Sequence, residues 1–138
     1  MRIHGACHCG RIAFDLDWPD DAPVVPRACG CTFCRKHGAA WTAHPAASLE
    51  VVDGAGVSHY RFGTETARFH VCPRCGAVPV CTSDIDGRLY AVVNVNTFEG
   101  FPGTLPAPAP VDFDGEDEGA RLARRARGWI GTVVMRQG

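Results

Sequence analysis

Seven of the eight cysteines fall into three tight clusters: Cys7-His8-Cys9, Cys29-Gly30-Cys31-Thr32-Phe33-Cys34 and Cys72-Pro73-Arg74-Cys75. Seven divides into four and three. Four thiolates close a tetrahedral zinc site, whereas three leave the ion a free position for chemistry. Cys72 and Cys75 have the spacing with which a tight turn chelates one ion, and Gly76 relieves the backbone behind them. A redox C-x-x-C opens a helix in a βαβ setting, but here the flanking residues 68–71 and 77–80 read as strands. Cys7 and Cys9 would complete four sulfur ligands with Cys72 and Cys75. That site would staple the start of the chain to its middle, and zinc binding would become folding free energy. Spacing alone leaves other partitions of the three clusters open.

Cys29, Cys31 and Cys34 can grip a second zinc from a single loop. Disulfides fit poorly there, because the set is odd and such short rings are strained. The fourth position could be taken by water, His37, another histidine, Cys81 or a visiting ligand. A site of this kind keeps its Lewis acidity and suits a soft incoming ligand, above all another thiolate. Three thiolates over-compensate a dication, so an anionic ligand needs help. Arg35 and Lys36, next in the chain, are the candidates to pair with its carboxylate. Cys81 reads as a small buried hydrophobe on a strand. His8 reads as a turn residue, and His4, His44, His59 and His70 show no metal-motif spacing.

Short strands must position these clusters. Residues 11–18 alternate, with Ile12, Phe14, Leu16 and Trp18 on one face, the pattern of a half-buried strand. Further strands are expected near 24–29 (with Pro26 marking an edge), 40–44, 49–52, 57–62, 66–71, 77–82 and 88–95. Residues 35–38 read as a turn, and 45–48 as a single helical turn. Asp86-Gly87 is a hairpin signal. Residues 101–118 form a proline-rich and then acidic surface connection. From Gly119, Leu122, Ala126, Trp129 and Ile130 suit one face of a short helix with Arg121, Arg124, Arg125 and Arg127 on its polar side. Gly128 weakens that helix, and a strand over 129–134 is the rival. The expectation is a mainly β fold of about eight short antiparallel strands, with at most one short C-terminal helix.

At 138 residues the chain is expected to be one domain, 1–138. A net charge of −1 supplies no field for nucleic acid or membrane surfaces. No run approaches the length of a membrane span, and no apolar signal core precedes Cys7. Clustered cysteines without such a leader point to a reducing, cytoplasmic setting and to metal ligation. Neither the oligomeric state nor the role of the arginine-rich C-terminal segment can be read from these residues.

Residues 5–14 (GACHCGRIAF), 29–38 (CGCTFCRKHG) and 69–76 (FHVCPRCG), with 93–97 (VNVNT), resemble the glutathione-dependent formaldehyde-activating family over about residues 5–99. The resemblance implies a zinc-stapled β-tent. It implies that Cys7, Cys9, Cys72 and Cys75 hold a structural zinc and that Cys29, Cys31 and Cys34 hold a second, catalytic zinc, at a site open to partial occupancy. It further implies a carbon–sulfur lyase that binds glutathione or a related small thiol adduct, as in the condensation of glutathione with formaldehyde to S-(hydroxymethyl)glutathione. The alternatives are a non-catalytic thiol-binding or structural module, and a zinc or redox sensor that releases metal on oxidation.

Overall fold

The computed structural model describes residues 1–137 and is mainly β, with twelve strands in two sheets. The first sheet runs in the order β10 (Phe98–Glu99), β1 (Arg2–Ala6), β2 (Ile12–Asp17), β5 (Ser48–Asp53) and β12 (Thr132–Gln137). The second runs β11 (Ala109–Val111), β3 (Arg27–Cys29), β4 (Trp41–Thr42), β9 (Arg88–Asn94), β8 (Val80–Ile85), β7 (Arg68–Val71) and β6 (Ser58–Tyr60). Two α-helices accompany them, α1 (Thr32–His37) and α2 (Glu118–Gly128), with one 3-10 turn at Val95–Thr97. None of the described helices is long and apolar enough to cross a membrane.

The alternation in β2 works as the pattern predicts. Ile12, Phe14 and Leu16 are buried in the core with Ile3, Leu49, Val51, Val80, Val93 and Ile130. Phe14 lies directly over Gly5 on β1, its cross-strand partner. A Cβ at Gly5 would sit 2.2 Å from the Phe14 ring, so only glycine fits beneath it. A second cluster, built on Trp41, Phe69, Cys81 and Val92, lies behind the cysteines of residues 29–34.

The pairing is not purely antiparallel. β12 runs parallel to β5 and β11 parallel to β3, because each follows a long crossover rather than a hairpin. β3 is therefore interior to its sheet, between β11 and β4, and Pro26 precedes it rather than marking an edge. The proline-rich connection supplies β11, with Ala109 N–H donating to the Pro26 carbonyl. Residues 45–46 make a plain turn, not a helical one. Helix and strand both occur at the C-terminus: α2 runs through Gly128, and β12 follows after Ile130 bridges to Ala91.

Residues 35–37, expected as part of a turn, belong instead to α1, and only Gly38 is a turn residue. Cys31 is its N-cap, with its Sγ accepting from Cys34 N–H at 3.4 Å, so the sulfur does what a Ser or Asp oxygen does elsewhere. The helix closes at Gly38, whose N–H donates to the Cys34 carbonyl. Asn94 and Asn96 then fasten this loop to the other cysteine turn. Asn94 Oδ1 accepts from Ala40 N–H, Asn94 Nδ2 donates to the Val78 carbonyl, and Asn96 Nδ2 donates to the Gly38 carbonyl. The buried Asn94 thus spans the segments that leave both clusters.

Candidate metal centres and ligand cleft

The sulfurs of Cys7, Cys9, Cys72 and Cys75 lie within 4.8 Å of one another. Cys7 and Cys9 Sγ are 3.8 Å apart, and Cys9 and Cys72 Sγ 3.5 Å. Zn–S bonds of about 2.3 Å set tetrahedral sulfurs roughly 3.8 Å apart, so the four donors fit one such ion. Each turn delivers its sulfurs through backbone geometry. Cys7 Sγ accepts from Ile12 N–H at 3.3 Å and Cys72 Sγ from Cys75 N–H at 3.5 Å. Gly76, at φ 79°, folds the chain back after Cys75 in a region where a side chain would be strained.

Electrostatics separates the four thiols. Burial pushes Cys7 up to about 11. At Cys75 burial acts upward too, but N–H donors from Ala77 and Cys9 outweigh it and bring the thiol down to about 6. Cys72 is lowered in the same way, by the N–H groups of Cys75 and Arg74 against its burial. The turn therefore favours ionised sulfur at the positions where a metal needs it.

Cys29, Cys31 and Cys34 form the second cluster, again with all sulfurs within 4.8 Å. Cys29 comes from the end of β3, Cys31 caps α1, and Cys34 lies buried in its first turn. Trp41 Nε1–H donates to Cys34 Sγ at 3.4 Å. A hydrogen bond from the Cys34 thiol is the main cause that brings Cys29 down to about 5, with the charge of Arg124 adding to it. Cys34 is correspondingly raised by donating that bond and by burial. Phe33 anchors the loop, its ring 4.5 Å from Phe69 and 5.3 Å from both Tyr60 and Phe62.

Among the described residues, no further Cys, His, Asp or Glu joins this trio. His37 is exposed and packs on Phe33 at 4.4 Å. Cys81 is buried, raised to about 12 by that burial, and lines the cleft rather than the cluster. All three cysteines line a cleft of about 450 Å³.

That cleft is walled by Trp41, Phe62, Phe69 and Trp129 and rimmed by Arg27, Arg35, Arg121, Arg124 and Arg125. Arg35 is thus at the cleft, whereas Lys36 is exposed and does not line it. The arginines of α2 carry most of the positive charge. Arg121 and Arg124 share Glu116, at 3.3 and 3.0 Å, and Arg124 stacks on the Phe113 ring at 3.6 Å.

Arg125 is different. It is 7% exposed and donates from Nη1 to Thr66 Oγ1 and Ser83 Oγ, while its Nε is buried without a partner. No Asp or Glu among the described residues pairs with it. A buried cation left without a counter-charge is costly, unless an anion enters beside it. Sequence reasoning placed Arg125 on the solvated side of its helix, because the amphipathic rule assumes an apolar core. Here α2 packs across a cleft, and Ala126, expected inside, is exposed.

A model of the family described as glutathione-dependent formaldehyde-activating enzyme matches residues 2–110. A crystal structure of a Rhodobacter sphaeroides protein is similar to this chain, with a TM-score of 0.54 and 31% sequence identity. That likeness covers 78% of this chain and 97% of the other.

Proposed function

The chain belongs to the glutathione-dependent formaldehyde-activating family, and from that premise we propose that it is a zinc-dependent carbon–sulfur lyase acting on glutathione or a related small thiol adduct. Cys7, Cys9, Cys72 and Cys75 hold a structural zinc. Cys29, Cys31 and Cys34 hold the second, at which the thiol is handled. The observation that supports this most is the union of three thiols with an uncompensated buried arginine in one cleft. The thiols call for a metal that takes a fourth soft ligand, and the arginines call for carboxylates on that ligand. Glutathione carries both groups.

In the condensation, the thiol sulfur bonds to the formaldehyde carbon and the thiol proton ends on the carbonyl oxygen. The reverse reaction breaks the same carbon–sulfur bond. Zinc supplies the Lewis acidity that keeps a coordinated thiol ionised near neutral pH. The protein's own residues do the positioning. Arg125 and Arg35 bind carboxylates as charge-assisted donors. Phe62, Phe69, Trp41 and Trp129 wall the cleft and limit water around the reacting sulfur. Holding thiol and aldehyde together lowers the entropic part of the barrier. Free thiols at both clusters fit a reducing cytoplasm as the place of action.

Elemental analysis of protein purified without chelator should find two zinc ions per chain. Cys31→Ala should drop one zinc and keep the fold, while Cys72→Ser should lose cooperative folding. Exchange between formaldehyde, glutathione and their adduct should run faster with the protein than without it. An acceleration that is absent, or that survives Cys31→Ala, removes the lyase reading.

A further inference from the structure

Asp53, His59 and His70 meet away from both cysteine clusters, with one ligand atom from each lying within 4.8 Å of the others. Asp53 ends β5 in the first sheet, whereas His59 and His70 are direct cross-strand partners on β6 and β7 of the second. Sequence spacing hides this group, because only strand pairing and the approach of the two sheets bring it together.

Its geometry is unusual for a hydrogen-bonded triad. His59 Nε2 and His70 Nδ1 both lie 3.3 Å from the same carboxylate oxygen, Asp53 Oδ2. Charge-assisted N–H···O bonds run about 2.7–2.9 Å. Two metal–ligand bonds of about 2.1 Å, opened to roughly 105°, instead span about 3.3 Å. Asp53 Oδ1 is buried with no partner, so the carboxylate has unmet acceptor capacity. His70 is almost fully buried, and its Nε2 lies 2.8 Å from Thr82 Oγ1. In the tautomer whose Nε2–H donates to Thr82 Oγ1, the Nδ1 lone pair faces Asp53, the arrangement by which an outer hydrogen bond orients a ligating imidazole. In that tautomer two lone-pair acceptors face each other across 3.3 Å, an arrangement that a cation between them would satisfy. The neighbouring cations do not fill that role: Arg68 pairs with Asp84 at 2.7 Å and Arg136 with Glu50 at 3.0 Å.

We propose that Asp53, His59 and His70 form a separate site for a divalent first-row metal ion, with zinc, which accepts imidazole and carboxylate together, as the ion to test. The ion would tie the last residue of β5 to the β6–β7 hairpin and so lock the edge of one sheet to the other. His59, the exposed member, leaves one side of the ion open to solvent, which makes the site exchangeable.

Protein with its cysteine clusters loaded should be titrated with Zn²⁺ and followed by imidazole ¹⁵N NMR. The expected result is saturable binding beyond the cysteine-bound zinc, with the His59 and His70 ring nitrogens shifting together and thermal stability rising in step. Asp53→Asn and His59→Ala should each weaken that binding roughly a hundredfold. His59 is exposed, so its variant keeps the fold. The readout is confined to imidazoles and does not depend on what the cysteine clusters hold or catalyse. No saturable binding at millimolar Zn²⁺ overturns the proposal, as does binding that His59→Ala leaves unchanged.

Discussion

The Trp41 indole points its N–H at Cys34 Sγ across 3.4 Å, from a strand that the sulfur does not share. An N–H donor to a thiolate withdraws charge from it and fixes its direction. Trp41→Phe keeps the ring and removes the donor. It should weaken zinc at the three-cysteine cluster roughly tenfold to a hundredfold while leaving the four-cysteine cluster unaffected. Competition with a chromogenic chelator, which resolves two release steps, measures this. Equal weakening of both steps would show a general loss of fold instead.

Arg125 gives a prediction in which stability and binding move in opposite directions. Arg125→Met removes a buried cation with an unpartnered Nε, so the melting temperature should hold or rise. Affinity for glutathione should fall by roughly ten- to a hundredfold, the value of one charge-assisted carboxylate contact. Cysteamine, a thiol without carboxylates, should bind both proteins alike. Calorimetric titration with the two thiols separates the cases, and a matched loss for cysteamine would reject a carboxylate role.

Glu116 sets the acid limit of the α2 attachment. The hydrogen bond from Arg124 is the main cause that holds its carboxyl below the ordinary 4.5, with Arg121 adding to it. A carboxyl depressed in the folded state contributes stability that is present above its unfolded value. That contribution is lost as pH falls through the folded value. Glu116→Gln should therefore flatten the part of the stability–pH curve below about 4.5, losing up to about 1 kcal/mol at pH 7 and converging with the parent in acid. Urea unfolding at stepped pH tests this. A curve that keeps its acid slope would place that slope elsewhere.

Gly5→Ala tests the close approach in the first sheet. The new methyl would meet the Phe14 ring at 2.2 Å, and overpacking of this kind costs about 1–3 kcal/mol. Phe14→Leu in the same chain should recover part of the loss, since it removes the ring that clashes. Denaturant unfolding of the single and double variants reads the coupling.

Some of this was legible from residue types alone. The alternation of Ile12, Phe14 and Leu16 placed β2 and its buried face, because period-two patterning is local. The seven clustered cysteines were legible as three chelating turns because spacing within a turn is local, but spacing left their partition open, and the family resemblance implied the grouping that the structure brings together. What escaped was set by distant partners. The parallel pairing of β12 with β5 depends on a crossover. The helix at 32–37 depends on a sulfur acting as its cap, for which ordinary propensities have no term. Arg125 is buried on the face that patterning assigns to solvent, because its helix covers a cleft rather than an apolar core. His59 and His70 carried no spacing signal, since a sheet register, not the chain, sets them side by side.

The cleft draws its sulfurs from residues 29–34 and most of its arginines from 121–125, a stretch beyond the matched family region that ends at residue 110. Under the proposed function, the metal ligands lie inside the matched region and most of the arginines that would choose the ligand lie beyond it. Evolution, or an engineer, could exchange the segment from Phe113 to Trp129 and retune which thiol enters without touching a single metal ligand. Among proteins built on this frame, the last quarter of the chain is then the place to look for differences in substrate.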